Sequence, residues 1–238
     1  MNSPEAADSL RIGDLEIEVA VSTRRRTVRL TVERDARIVA AVPPGLSREK
    51  LEALLKARTG WIYSKLGERE AAVAVRPVKE FVSGEGFHYL GRSYRLKVVD
   101  TAPAPVGLVQ GRLLLRRDRI DVAEDDLIAW YRARGQEWLP QRVMPWAERM
   151  RAPLSEITVR RLGYRWGSCS STGGVNIHWA TMQLPVALVD YVLVHELAHL
   201  HQSGHPPAFW RIVGRAMPDF GTRRAALDGF GAQLWLPE

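Results

Sequence analysis

His195-Glu-Leu-Ala-His-Leu-His-Gln-Ser-Gly-His205 is the stretch whose reading decides this chain. His195, Glu196 and His199 spell H-E-x-x-H, and Val189-Asp-Tyr-Val-Leu-Val194 before them reads as the apolar first turns of an amphipathic helix. Residues four apart on a helix share a face, one turn apart. Two imidazoles placed that way reach one metal ion at about 2 Å. Glu196 lies about 100° round from His195, beside the metal, where a general base for a water has to stand. A catalytic zinc takes three protein ligands and keeps a fourth position open. His205 is the expected third ligand, because Ser203-Gly204 can end the helix and Gly204 can take the left-handed conformation that turns the chain back. The expectation is one Zn2+ per chain. A solvated, His-rich helix end would need neither the glycine break nor the further histidine beyond it.

Downstream, Pro206-Pro207 starts another helix, Ala208-Phe-Trp-Arg-Ile-Val213, so His205 sits just before a helix N-terminus. Upstream, Gly174-Val-Asn-Ile-His-Trp179 and Ile157-Thr-Val-Arg160 read as strands joined by the small-residue run of residues 165–174. The strand at 174–179 is expected to offer its backbone to an extended peptide. A long helix runs from Asp125-Asp126 to about Met150, and Pro140 and Pro145 imply a kink or a break into two pieces. Its aromatic residues Trp130, Tyr131, Trp138 and Trp146 are expected to pack in the core.

The first half reads differently. Leu15-Glu-Ile-Glu-Val-Ala-Val21, Thr27-Val-Arg-Leu-Thr-Val32 and Ala36-Arg-Ile-Val-Ala-Ala-Val42 alternate with period two and suggest an antiparallel meander turning at Arg34-Asp35. Ser47 caps one helix that continues through Trp61, Ile62 and Leu66. Strands return between Gly86 and Arg116, with His88 as an ordinary strand residue. No internal repeat is evident. The composition changes at Asp121. The expected organisation is therefore α+β, with a strand-rich N-terminal module holding one helix (1–120) followed by the metal-bearing core (121–238).

The net charge of +7 comes from arginine, with runs such as Arg24-Arg-Arg26 and Arg223-Arg224. Such a surface can attract nucleic acid or phosphorylated substrates; solvation is the plainer reading. No apolar run approaches the ~20 residues of a membrane span. The polar start and the single cysteine fit a cytoplasmic, reducing setting.

The succession Arg165-Trp-Gly-Ser-Cys169, Trp179, Asp190-Tyr-Val-Leu-Val-His-Glu-Leu-Ala-His199, His205 and Phe209-Trp210 resembles the YgjP-like metallopeptidase family, related to SprT-like and other small zincins. The resemblance is strong over about residues 155–215. It implies a zincin-type core, metal ligation by His195, His199 and His205, and Glu196 as the catalytic glutamate. Where the family pattern leads one to expect Asn-Trp, this chain has His178-Trp179. His178 is either a neutral replacement or a groove residue. His178, Trp179, Trp166 and Cys169 together are the expected lining of a substrate groove. Asp190, Asp219 and Glu238 are candidates to support the ligands.

The function expected is zinc-dependent hydrolysis of a peptide or protein substrate. The alternatives are a nucleoside triphosphate hydrolase, an SprT-like protease recruited to DNA, and a metal scaffold without turnover. The intact Glu196 opposes the last. No Walker-type glycine loop supports the first. The spacing of His199 and His205 matches the H-E-x-x-H-x-x-G-x-x-H type, but Gln202 stands where its glycine belongs.

Overall fold

The alternation of Leu15 to Val21 buries Leu15 and Ile17 while Glu16 faces solvent, and a strand forms there (β2, Leu15–Val21). The computed structural model describes the chain except residues 1–7, 24, 33–36, 74–76, 164, 171, 232 and 238. It divides into two compact units, residues 1–75 and 76–237.

In the first unit β2 pairs with β1 (Asp8–Ile12), a strand hidden in the polar leader and betrayed only by its buried Leu10 and Ile12. β3 (Arg29–Val32) and β4 (Ile38–Val42) complete a sheet of order β1-β2-β4-β3. β2 and β4 are parallel, with Ile17 opposite Ile38, so the expected antiparallel meander is corrected. The chain leaves along β3, on the outside, and returns along β4, against β2. The expected Arg34-Asp35 turn lies outside the described residues. The single expected helix is two, α1 (Arg48–Lys56) and α2 (Thr59–Val73). The Ser47 side chain accepts from the Lys50 N–H at the start of α1. The Thr59 hydroxyl donates to the Lys56 carbonyl at 2.8 Å, satisfying an acceptor that the ending helix leaves open. Ile17, Ala40, Leu55 and Ile62 make this unit's own core.

The second unit opens with β5 (Gly86–Tyr89), β6 (Arg92–Val99), β7 (Val106–Val109) and β8 (Arg112–Arg116), in the order β5-β6-β8-β7. The order and the strand senses repeat those of the first sheet, a structural repeat with no matching sequence repeat. Its two hairpins turn at Leu90-Gly91 and Gln110-Gly111, all four at positive φ, the geometry that suits the twist of a two-residue loop. The first tip meets the rest of the unit closely. Leu90 N–H donates to the Met182 carbonyl at 2.8 Å. A Cβ on Gly91 would lie 2.8 Å from the Pro185 Cα.

α3 (Ala123–Met150) is unbroken across both prolines. The expected break does not occur because Leu127, Tyr131, Leu139, Val143 and Ala147 form one buried stripe that spans Pro140 and holds the helix to the core. Trp130, Trp138 and Trp146 pack against that core, as Tyr131 does within it. β9 (Glu156–Arg160), β10 (Gly167–Cys169) and β11 (Gly174–His178) form a small sheet of order β10-β11-β9. α4 (Val186–His199), α5 (Pro207–Ala216) and α6 (Phe220–Gly231) follow. α4 is buried all round rather than amphipathic, every residue from Leu188 to Ala198 except His195 being buried. Near residue 235 the chain returns to the core: Leu234 and Trp235 are buried, and Trp235 packs edge-on against Phe87 and Trp179.

Phe87, Leu96 and Leu115 share one core with Leu127, Ile177 and Leu193. The expected division at residue 120 thus falls inside the second unit, because the second sheet packs with the helices. No described helix is long and apolar enough to cross a membrane.

Candidate metal centre

α4 carries His195 and His199 on one face, one turn apart, and ends there. The chain turns through Gly204 at φ +70 and delivers His205 just before α5. The Nε2 atoms of His199 and His205 lie 3.2 and 3.0 Å from that of His195. All three ligand atoms fall within 4.8 Å of one another. Nitrogens held by one tetrahedral zinc at about 2.0–2.1 Å stand about 3.3 Å apart, so the trio has the spacing a single ion needs.

The protonation pattern agrees. The Nδ1 of His199 faces the Gln202 carbonyl at 3.2 Å. Donating there, a neutral ring turns its Nε2 lone pair toward the other two imidazoles. Burial, then the neighbouring His199 and His205, push His195 down to about 3, so it stays neutral. Its Nδ1 is buried without a partner among the described residues. Three converging imidazoles fit a borderline divalent cation such as zinc.

Aromatic rings bed the cluster. Phe209, fully buried on α5, lies 4.4 Å from the His199 ring and 4.8 Å from that of His205, centroid to centroid. Trp210 stacks on His205 at 5.6 Å, fixing the one histidine of the trio that comes from outside the helix. Phe209-Trp210 formed part of the family resemblance; their position four and five residues after the last histidine, at a helix start, was the available signal for this role.

Glu196 is next to His195 in sequence yet only 6% exposed. Burial raises its carboxyl to about 8, against the pull of Arg165. It fits there because β10 begins with glycine: a Cβ on Gly167 would come within 2.6 Å of the Glu196 side chain. Sequence reasoning gave Gly167 no role, and its sole signal was its place in Trp-Gly-Ser-Cys.

The other expected site residues are scattered. His178 and Trp179 are 3% and 1% exposed, so they line no groove. His178 instead caps the short 3-10 turn after β11, its Nδ1 accepting from Ala180 N–H at 3.2 Å. β11 is paired on both sides, by β9 and β10, and has no free edge for a peptide. The edge beside α4 belongs to β10. Cys169, half-buried on that edge, has its thiol pushed up by burial and then by Glu196. Trp166 is half-buried against α6, where a Cβ on Gly231 would lie 2.8 Å from its ring. Asp190 does not support a ligand. It forms a two-bond ion pair with Arg142 of α3 at 2.7 and 2.6 Å. Asp219 pairs with Arg223, and Glu238 lies outside the described residues. Met217 is buried in the core.

The sequence model of a family described as "YgjP-like, metallopeptidase domain" matches residues 26–230. No curated protein matches. Among solved structures, the metallopeptidase zymogen of Pyrococcus abyssi abylysin is 22% identical with a TM-score of 0.35, over 40% of this chain and 95% of that one.

Proposed function

The chain belongs to the YgjP-like metallopeptidase family, and from that premise we propose that it cleaves peptide bonds using one zinc ion held by His195, His199 and His205. The observation that carries the reading is the convergence of three Nε2 atoms, two of them 3.0 and 3.2 Å from the third, beside a buried glutamate. Zinc, when bound, supplies Lewis acidity, acidifying water and polarising a carbonyl.

The chain's own groups do the rest. Glu196, made basic by burial, takes a proton from the attacking water and returns it to the leaving amine. The Gln202 carbonyl holds the His199 ring in one tautomer. The outer edge of β10, which has no strand partner among the described residues, aligns an extended substrate next to Glu196. Hydrolysis of a phosphoanhydride is a second reading, favoured by one feature: the charges of Arg165 and Arg224 reach Glu196 and His195.

Elemental analysis of the wild type and of His199→Ala, paired with turnover assays on peptides and on nucleoside triphosphates, separates these readings. One zinc per chain that the His variant loses, with peptide cleavage lost in Glu196→Gln, is expected. Triphosphate cleavage with the same dependence selects the second reading. A wild type without stoichiometric metal defeats both.

A further inference from the structure

β3 is the last strand of its sheet, so among the described residues its outer edge has no strand partner. Beside it lies a groove of about 480 Å³ lined by residues 27–30 together with Arg25, Leu54, Leu55, Arg58 and Trp61. Four consecutive residues reach this groove, Thr27 and Val28 leading into β3 and Arg29 and Leu30 within it. A groove over one face of a strand meets alternate residues, because successive side chains point to opposite faces. Arg29 and Leu30, consecutive on β3, place the groove at the start of the strand's edge.

Its charge is all of one sign. Arg116, Arg117, Arg119, Arg142 and Arg223 each pair with an aspartate. Among the described residues, Arg25, Arg29 and Arg58 form no ion pair and no carboxylate lines the groove. Unmatched cations gathered in a concavity draw anions to it. Between them the groove shows apolar surface, with Leu54 48% and Trp61 39% exposed.

We propose that this groove binds an extended acidic peptide segment, which adds to the edge of β3 as a further strand. The peptide backbone pairs with the open N–H and C=O groups of β3. Its Asp or Glu side chains meet Arg25, Arg29 and Arg58 in charge-assisted bonds, while intervening apolar side chains cover Leu54 and Trp61. A polypeptide fits better than a nucleic acid on two grounds. Strand-spaced backbone donors and acceptors match only another polypeptide backbone. Residues 1–75 also contain acids and bases in similar number, so the positive charge is local, without the broad basic footprint a phosphate backbone requires. The site belongs wholly to the first unit and does not depend on the peptidase reading.

The test uses the full chain carrying Glu196→Gln, so that no ligand is consumed, and fluorescence anisotropy with short labelled probes. The probes are an alternating Glu/Val peptide, its Gln/Val counterpart, the Glu/Val peptide with alternate backbone nitrogens methylated, and a single-stranded oligonucleotide. The Glu/Val peptide is expected to bind roughly tenfold more tightly than the Gln/Val one, as loss of charge-assisted bonds implies. Arg29→Gln with Arg58→Gln, and separately Trp61→Ala, should weaken it while leaving the circular dichroism unchanged. Backbone methylation should abolish binding. Equal binding of the Glu and Gln peptides overturns the proposal. So does undiminished binding by the folded arginine variant, or tighter binding of the oligonucleotide than of the acidic peptide.

Discussion

Gly167 sets the tightest clearance at the centre. Replacing its hydrogen with a methyl puts a carbon 2.6 Å from the Glu196 side chain, far inside van der Waals contact, so the carboxyl must move. Misplacing a catalytic group by about 1 Å costs roughly 100-fold in rate, and a loss of that order in kcat/KM is expected for Gly167→Ala. The histidines are untouched, so metal content by elemental analysis should stay at the wild-type value. Unchanged kcat/KM would remove Glu196 from the chemistry. The histidines and the glutamate were readable in the sequence because helix geometry fixes i and i+4 before any tertiary structure exists. Gly167 and the Gln202 carbonyl were not. One acts through the absence of a side chain and the other through the backbone, and neither has a residue-type signature. His178 misled for the opposite reason: a histidine near a cleft advertises chemistry, while its burial and capping bond appear only once the chain is folded.

At the scale of elements, Arg142 and Asp190 tie α3 to α4. The Asp190 side chain is 7% exposed and that of Arg142 39%. Removing one partner of a fully buried pair costs about 3–5 kcal/mol, and the exposure of Arg142 reduces this to roughly 2 kcal/mol for Arg142→Ala. Chemical denaturation should show that loss. A double-mutant cycle with Asp190→Asn should return part of it as coupling energy. The segment between α4 and α5 offers a second check. It contributes His205, so a metal bound there links the two helices. With zinc at about 100 times its Kd, binding adds about 2.7 kcal/mol. For a unit of this size that corresponds to roughly 5–10 °C. Chelation should lower Tm by that amount in the wild type and by much less in His205→Ala. The helices themselves were largely legible. Their boundaries were decided by events with weak sequence signals, such as the Thr59 hydroxyl closing α1 and the buried stripe carrying α3 past Pro140.

At the scale of the molecule, two cores lie in two units, and the centre belongs to the second. A fragment of residues 76–238 is therefore expected to fold cooperatively and to bind zinc at the full-chain stoichiometry, measured by thermal melting and elemental analysis. A fragment that melts without a transition would show that the first unit is needed for the fold. This division was hidden in the sequence. Strand patterns recur from Leu15 to Arg116 without a compositional break, and nothing in them tells which strands share a core with distant helices. The parallel pairs β2·β4 and β6·β8 were hidden likewise, because alternation reveals a strand but not its partner. The contact between Gly91 and Pro185 has a consequence of a different kind. The hairpin tip is a mechanical stop against which the foot of the metal helix is seated, with no room for a methyl group. Ten residues at 1.5 Å each separate that foot from His195 by about 15 Å, so one added carbon at a turn acts as a shim under the whole rod. Substitution there gives an adjusting screw for the histidine trio that alters none of its members.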